Sequence, residues 1–141
     1  MVQLGTMADC RAVYFLICEL ENCELDYANF ERIYGEMMQC DERYAVLIAQ
    51  KDDETVGVAT LRFENQLHHC EKIAEILEFV VKAKYRSCGI GSAIFEEACQ
   101  LAKSRGCTRM EVSSNRVRER AHKFYERLGM VNTHFKFCKP L

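Results

Sequence analysis

An α/β domain built on a mixed sheet is the fold class this sequence predicts, and three observations predict it. Two apolar, β-rich runs at 43–50 and 55–64 flank the polar turn Asp52-Asp53-Glu54, which reads as an antiparallel hairpin. A third run, 72–82, is apolar enough to lie inside a sheet. It leads through Arg86-Ser87-Cys88-Gly89-Ile90-Gly91-Ser92 into an amphipathic segment at 90–105, after which 107–113 reads as another strand. A helical crossover between two strands makes that pair parallel.

The remaining elements follow in chain order. Val2 to Leu4 reads as a short first strand, and Asp9 as the cap of the next element. Val13, Leu16, Ile17 and Leu20 recur at helical spacing over 9–22. A second helix spans 26–40, with Phe30, Ile33, Tyr34 and Met37 on one stripe. In the strand at 43–50, Tyr44, Val46 and Ile48 alternate with Ala45, Leu47 and Ala49. The polar stretch 65–72 reads as a loop carrying His68 and His69. The helix at 90–105 buries Ile90, Ile94, Ala98, Leu101 and Ala102, keeps Glu96, Glu97, Gln100 and Lys103 in water, and stops at Gly106. A short helix at 118–128 ends at Gly129, and 130–138 reads as a final strand. The expected order is β-α-α-β-β-β-α-β-α-β, about six strands in a mixed, twisted sheet with four helices.

The chain has 141 residues, enough for one domain, expected to span 1–141. A net charge of −2 leaves no footprint for nucleic acid, and no apolar run reaches the length of a membrane span. Residues 1–9 lack the charged and apolar regions of a signal peptide. Nine cysteines are scattered without a C-x-x-C, which argues against zinc ribbons and redox motifs and for reduced thiols in a cytoplasmic protein.

The stretch 86–92 carries the clearest chemistry. A strand entering a glycine turn that opens a helix aims backbone N–H groups and a positive dipole end at one point, which suits a phosphate. Gly89 and Gly91 permit close approach of a ligand, and Arg86 adds fixed charge. Two familiar phosphate loops are excluded. No Lys follows Gly91, and Ile94 stands where a dinucleotide fingerprint needs its third glycine. Cys88 sits where a thiol can become reactive, or where any small residue is tolerated.

R-x-x-G-x-G at Arg86–Gly91, followed one helix and one strand later by Ala121-His122-Lys123-Phe124-Tyr125-Glu126-Arg127-Leu128-Gly129-Met130, resembles the GNAT superfamily of acetyl-CoA-dependent N-acetyltransferases. Leu67-His68-His69, Ala74-Glu75-Ile76-Leu77-Glu78 and the segment from His134 to Leu141 are similar to aminoalkylphosphonate N-acetyltransferases within it. The resemblance implies acetyl-CoA as cosubstrate, with its pyrophosphate on the N–H groups of Ser87, Cys88, Gly89, Ile90, Gly91 and Ser92, assisted by Arg86. It implies that the pantetheine arm lies along the main chain of Phe79, Val80 and Val81, with Asn115 as a further partner.

The resemblance also implies Tyr125 as general acid for the leaving thiolate, since a phenol is protonated at neutral pH. Glu75 and Glu78 are the candidate bases, being charged residues in an apolar strand. Strict alternation puts them on opposite faces, and a bulge would bring both to one cleft. Glu75 ranks first, its alternative being a structural ion pair. His68 and His69 are candidate substrate-binding residues, with a divalent metal as a further candidate cofactor and a solvated loop as the alternative. The expected partners are acetyl-CoA, a small primary amine and a second copy of the chain. The rival readings are another amine acceptor (an amino sugar phosphate, an aminoglycoside or a protein lysine) and a non-catalytic acyl-CoA sensor.

Overall fold

The computed structural model describes all residues from Met1 to Leu141, which form two compact units, Met1–Glu111 and Val112–Leu141. The first contains β1 (Val2–Leu4), α1 (Cys10–Glu21), α2 (Tyr27–Gln39), β2 (Tyr44–Lys51), β3 (Glu54–Gln66), β4 (Glu71–Val81), α3 (Ile90–Ser104) and all but the last residue of β5 (Arg109–Val112). The strands lie in sequence order, β1-β2-β3-β4-β5. The first three pairings are antiparallel, and α3 crosses over to bring β5 beside β4.

Alternation along the strands sends neighbouring residues to opposite helix layers. Val46, Ile48, Val58 and Val80 pack with Val13, Leu16, Ile17 and Tyr34 of α1 and α2. Their neighbours Ala49, Ala59, Phe79 and Val81 gather around Ile94 of α3. Leu16, Ile48 and Ile94 are fully buried, each worth about 1.5–3 kcal/mol of transfer free energy. Gly57 sets how closely α3 approaches: a Cβ there would lie 2.7 Å from Ile94 Cδ1.

Local chemistry fixes the element ends. The Asp26 carboxylate caps α2, accepting from Asn29 N–H at 3.1 Å. Asp9 behaves differently from expectation. Its carboxylate accepts from Thr6 N–H at 2.7 Å, closing the 3-10 turn Met7–Asp9, and does not cap α1. The polar stretch at 65–72 is shorter as a loop than expected, because β3 and β4 extend to a tight turn at 67–70.

The second unit holds α4 (Glu119–Arg127), ended near Gly129 at φ +84°. The expected sixth strand over 130–138 is not formed, so the sheet has five strands. Val131, Phe135 and Phe137 alternate as a strand would, yet are 79%, 85% and 93% exposed. Alternation supplies side chains for a buried face, but a strand also needs a ladder partner for its N–H and C=O groups, and 130–138 has none. No helix is long and apolar enough to cross a membrane.

Candidate active site

The glycine turn is built as its sequence requires. Ser87 and Gly89 adopt φ of +63° and +82°, and Gly89 is the N-cap of α3. Ala93 N–H donates to Gly89 O at 3.0 Å, so the N–H groups of Ile90, Gly91 and Ser92 belong to the first helical turn, which has no intrahelical acceptors. Residues 86–89 are exposed, and nothing lies within 4 Å of a Cβ placed on Gly89. The loop therefore presents donors and open space together. Cys88 is exposed, with its thiol 3.6 Å from Arg86 O.

Ion pairs hold the approach to this loop. Glu54, at the start of β3, binds Lys82, Lys84 (3.0 Å) and the Tyr85 hydroxyl (3.0 Å). The Lys82 ammonium, then Lys84 and Tyr85, hold its carboxyl down at about 2. Glu19 of α1 accepts from Ala83 N–H at 3.3 Å and lies 3.9 Å from the Arg86 guanidinium. Arg86 Nε donates to Val81 O at 2.9 Å. Neither Glu19 nor Glu54 stood out in the sequence, where both look like ordinary surface acids.

The main chain of β4 is directional. Lys82 N–H donates to Val56 O at 2.9 Å, and Val80 O faces Gly57 of β3. Successive residues aim their main-chain groups to opposite sides, so those of Phe79 and Val81 point away from β3, while those of Val80 point toward it. Thr108 N–H donates to Lys72 O at 3.0 Å, so the four residues of β5 run beside the first half of β4 and end short of Phe79.

Glu75 and Glu78 of β4 flank a bulge. Thr60 pairs with Glu78 and Leu61 with Ile76, so Leu77 is the inserted residue. Glu75 and Glu78 consequently share the α1–α2 face with Thr60 and Arg62. Glu75 lies 2.6 Å from Arg62, which also binds Glu64 at 3.1 Å. Glu78 has no cation as partner: Thr60 donates its hydroxyl proton to Glu78 Oε2 and accepts from Glu78 N–H at 3.0 Å. Burial pushes the Glu78 carboxyl up, opposed by the Thr60 hydrogen bond and reinforced by Glu21. The site thus differs from the sequence ranking: Glu75 is committed to an ion pair, and Glu78 carries the perturbed carboxyl. Thr60 was missed; the available signal was a hydroxyl inside the apolar run Val56–Leu61.

His68 and His69 occupy the β3–β4 turn with ring centroids 4.0 Å apart. His69 Nε2 lies 2.9 Å from Arg109 Nη1 and 3.4 Å from Glu111 Oε1. No three His, Cys, Asp or Glu side chains converge in a way that could hold a metal ion. In the second unit, burial raises the Tyr125 hydroxyl to about 12 against the lowering influence of Arg118. The Asn115 side chain accepts from Val117 N–H at 3.1 Å, stabilising its own turn.

Strand β4 feeds an open, donor-rich helix N-terminus of a kind that suits a phosphate, and the same strand carries a carboxyl of raised pKa. Residues 10–130 match the acetyltransferase (GNAT) family, and the chain belongs to that family. It is 38% identical over 137 residues to an aminoalkylphosphonate N-acetyltransferase of Salmonella typhimurium, covering 97% of this chain and 88% of the relative. It is 29% identical over 85 residues to a glucosamine 6-phosphate N-acetyltransferase of Trypanosoma brucei brucei, covering 60% of this chain and 56% of the relative. Among solved structures, a transcriptional regulator from Bacillus halodurans shares the fold at a TM-score of 0.90 and 21% identity, covering 100% of this chain and 99% of the other. The protein is therefore an N-acetyltransferase of a family whose cosubstrate is acetyl-CoA.

Proposed function

We propose that the chain moves acetyl from acetyl-CoA to the primary amine of a small acceptor by direct attack, with an aminoalkylphosphonate as the first acceptor to test. The observation that carries the reaction is Glu78, a partly buried carboxyl with raised pKa and no cation bound to it. The support for the acceptor is the 38% identity over nearly the whole chain.

In this reading, donors of residues 87–92 and Arg86 hold the pyrophosphate, and the main chain of Phe79 and Val81 receives the pantetheine as a ladder partner. Glu78 takes a proton from the acceptor's ammonium, leaving a neutral amine. That nitrogen attacks the thioester carbonyl; the tetrahedral intermediate collapses, the C–S bond breaks, and Tyr125 gives its phenolic proton to the departing thiolate. The extra proton on the amide nitrogen replaces the one Tyr125 gave up, and the proton on Glu78 passes to solvent, so one proton is released per turnover. A hydroxyl held near 12 stays protonated for this role.

The test is coenzyme A release across aminomethyl- and aminoethylphosphonate, glucosamine 6-phosphate, an aminoglycoside and a lysine peptide. Preference for the phosphonates supports the proposal. Turnover on another amine alone overturns the acceptor, and acetyl-CoA binding without turnover on any amine favours a sensor.

A further inference from the structure

We propose that Thr60 is a positioning residue for the base: its hydroxyl at the β3–β4 bulge fixes the Glu78 carboxylate through Oε2 and leaves Oε1 to take the amine's proton. This rests on the reading of Glu78 as base.

A hydroxyl has one proton and two lone pairs, so its two roles here are determined. The Glu78 N–H, 3.0 Å away, occupies a lone pair of Thr60 Oγ1, and the hydroxyl proton goes to Glu78 Oε2. Main chain and side chain of Glu78 are thus tied to one atom. The bulge makes this possible, since the register shift at Thr60/Leu61 breaks the regular ladder where Glu78 N–H needs an acceptor. Thr60 is 5% exposed, so water does not substitute easily for its hydroxyl. Burial alone would drive Glu78 toward its neutral form, which accepts no proton from an ammonium; the Thr60 hydrogen bond opposes that drift. The other charges facing this carboxylate are Glu21 at the end of α1, which pushes its pKa the same way as burial, and the Arg62–Glu75 pair farther along the sheet face. Neither replaces the hydroxyl: Glu21 has the wrong sign, and Arg62 is already shared by Glu75 and Glu64.

The experiment is a pH–rate profile of wild type, Thr60→Ser, Thr60→Val and Glu78→Gln. Thr60→Val should lower kcat/KM for the amine about ten- to hundredfold at neutral pH, the range of a hydrogen bond to a charged group. Its acidic limb should move to higher pH, while KM for acetyl-CoA stays unchanged. Thr60→Ser should keep the wild-type limb. Thr60→Ala carries the same test where Thr60→Val does not fold. A wild-type limb in a folded variant lacking the hydroxyl, with Glu78→Gln inactive, overturns the role of Thr60 alone. Full activity of Glu78→Gln overturns the base assignment, and the role of Thr60 with it.

Discussion

Glu75 and Glu78 project from the same face of the sheet although a regular strand would send them to opposite faces, because Leu77 is the extra residue of a bulge between them. Sharing a face has not given them the same chemistry. Glu75 faces a guanidinium and Glu78 a hydroxyl, so an ion pair holds the first while burial sets the second.

Removing each carboxylate should therefore have separable effects. Glu78→Gln should lower kcat about 10²–10⁴-fold, the range for a positioned base. It should also stabilise the protein at neutral pH. A raised folded-state pKa contributes stability that is present below the unfolded value and lost as pH rises through the folded value; glutamine lacks that loss. The gain should vanish in acid, as denaturation at several pH values would read. Glu75→Gln should leave the pH profile intact and cost about 1 kcal/mol, since Arg62 keeps Glu64.

The bulge also explains what the sequence could convey. Nine of the ten expected elements form, because their periodicity, polar turns and helix stops at Gly106 and Gly129 are local signals. The phase of Glu78 relative to Glu75 is not local: one inserted residue reverses it, and the insertion depends on pairing with β3. The sixth strand fails for a related reason, since Val131, Phe135 and Phe137 alternate without a ladder partner. Gly89 and Arg86 were legible because a glycine turn between strand and helix is a contiguous pattern. Thr60, Glu19 and Glu54 act through partners distant in sequence.

Glu54 provides a stability test at low pH. Its carboxyl is held at about 2, below the ordinary value of 4.5, by Lys82, Lys84 and Tyr85. A depressed folded-state pKa contributes stability above the unfolded value and loses it as pH falls through the folded one. The wild type should exceed Glu54→Gln in urea midpoint at neutral pH, and the difference should disappear between 4.5 and about 2. Since Glu54 ties down the residues leading into the glycine turn, acetyl-CoA affinity should weaken in the variant, read by calorimetry.

Gly57→Ala should test how α3 is seated. The new Cβ would lie 2.7 Å from Ile94 Cδ1 and 3.3 Å from Val80 O. Overpacking of this kind costs about 1–3 kcal/mol, and displacing α3 should weaken acetyl-CoA binding as well. Ile94→Val, by removing the clashing methyl, should restore part of both thermal midpoint and affinity. No recovery would place the cost in the Val80 main chain.

Tyr125→Phe should separate acid catalysis from binding. A hydroxyl held near 12 remains protonated throughout the ordinary assay range, so its titration should not create an alkaline limb below that value. Removing it should lower kcat about 10²–10⁴-fold with little change in KM for acetyl-CoA, because the proton is needed only as the thiolate departs. An acetyl thioester of a more acidic thiol needs less help in leaving. The ratio of wild-type to variant rate should therefore shrink on that donor. An unchanged ratio would assign the tyrosine to holding the coenzyme, and a variant as fast as wild type on acetyl-CoA would remove it from the chemistry.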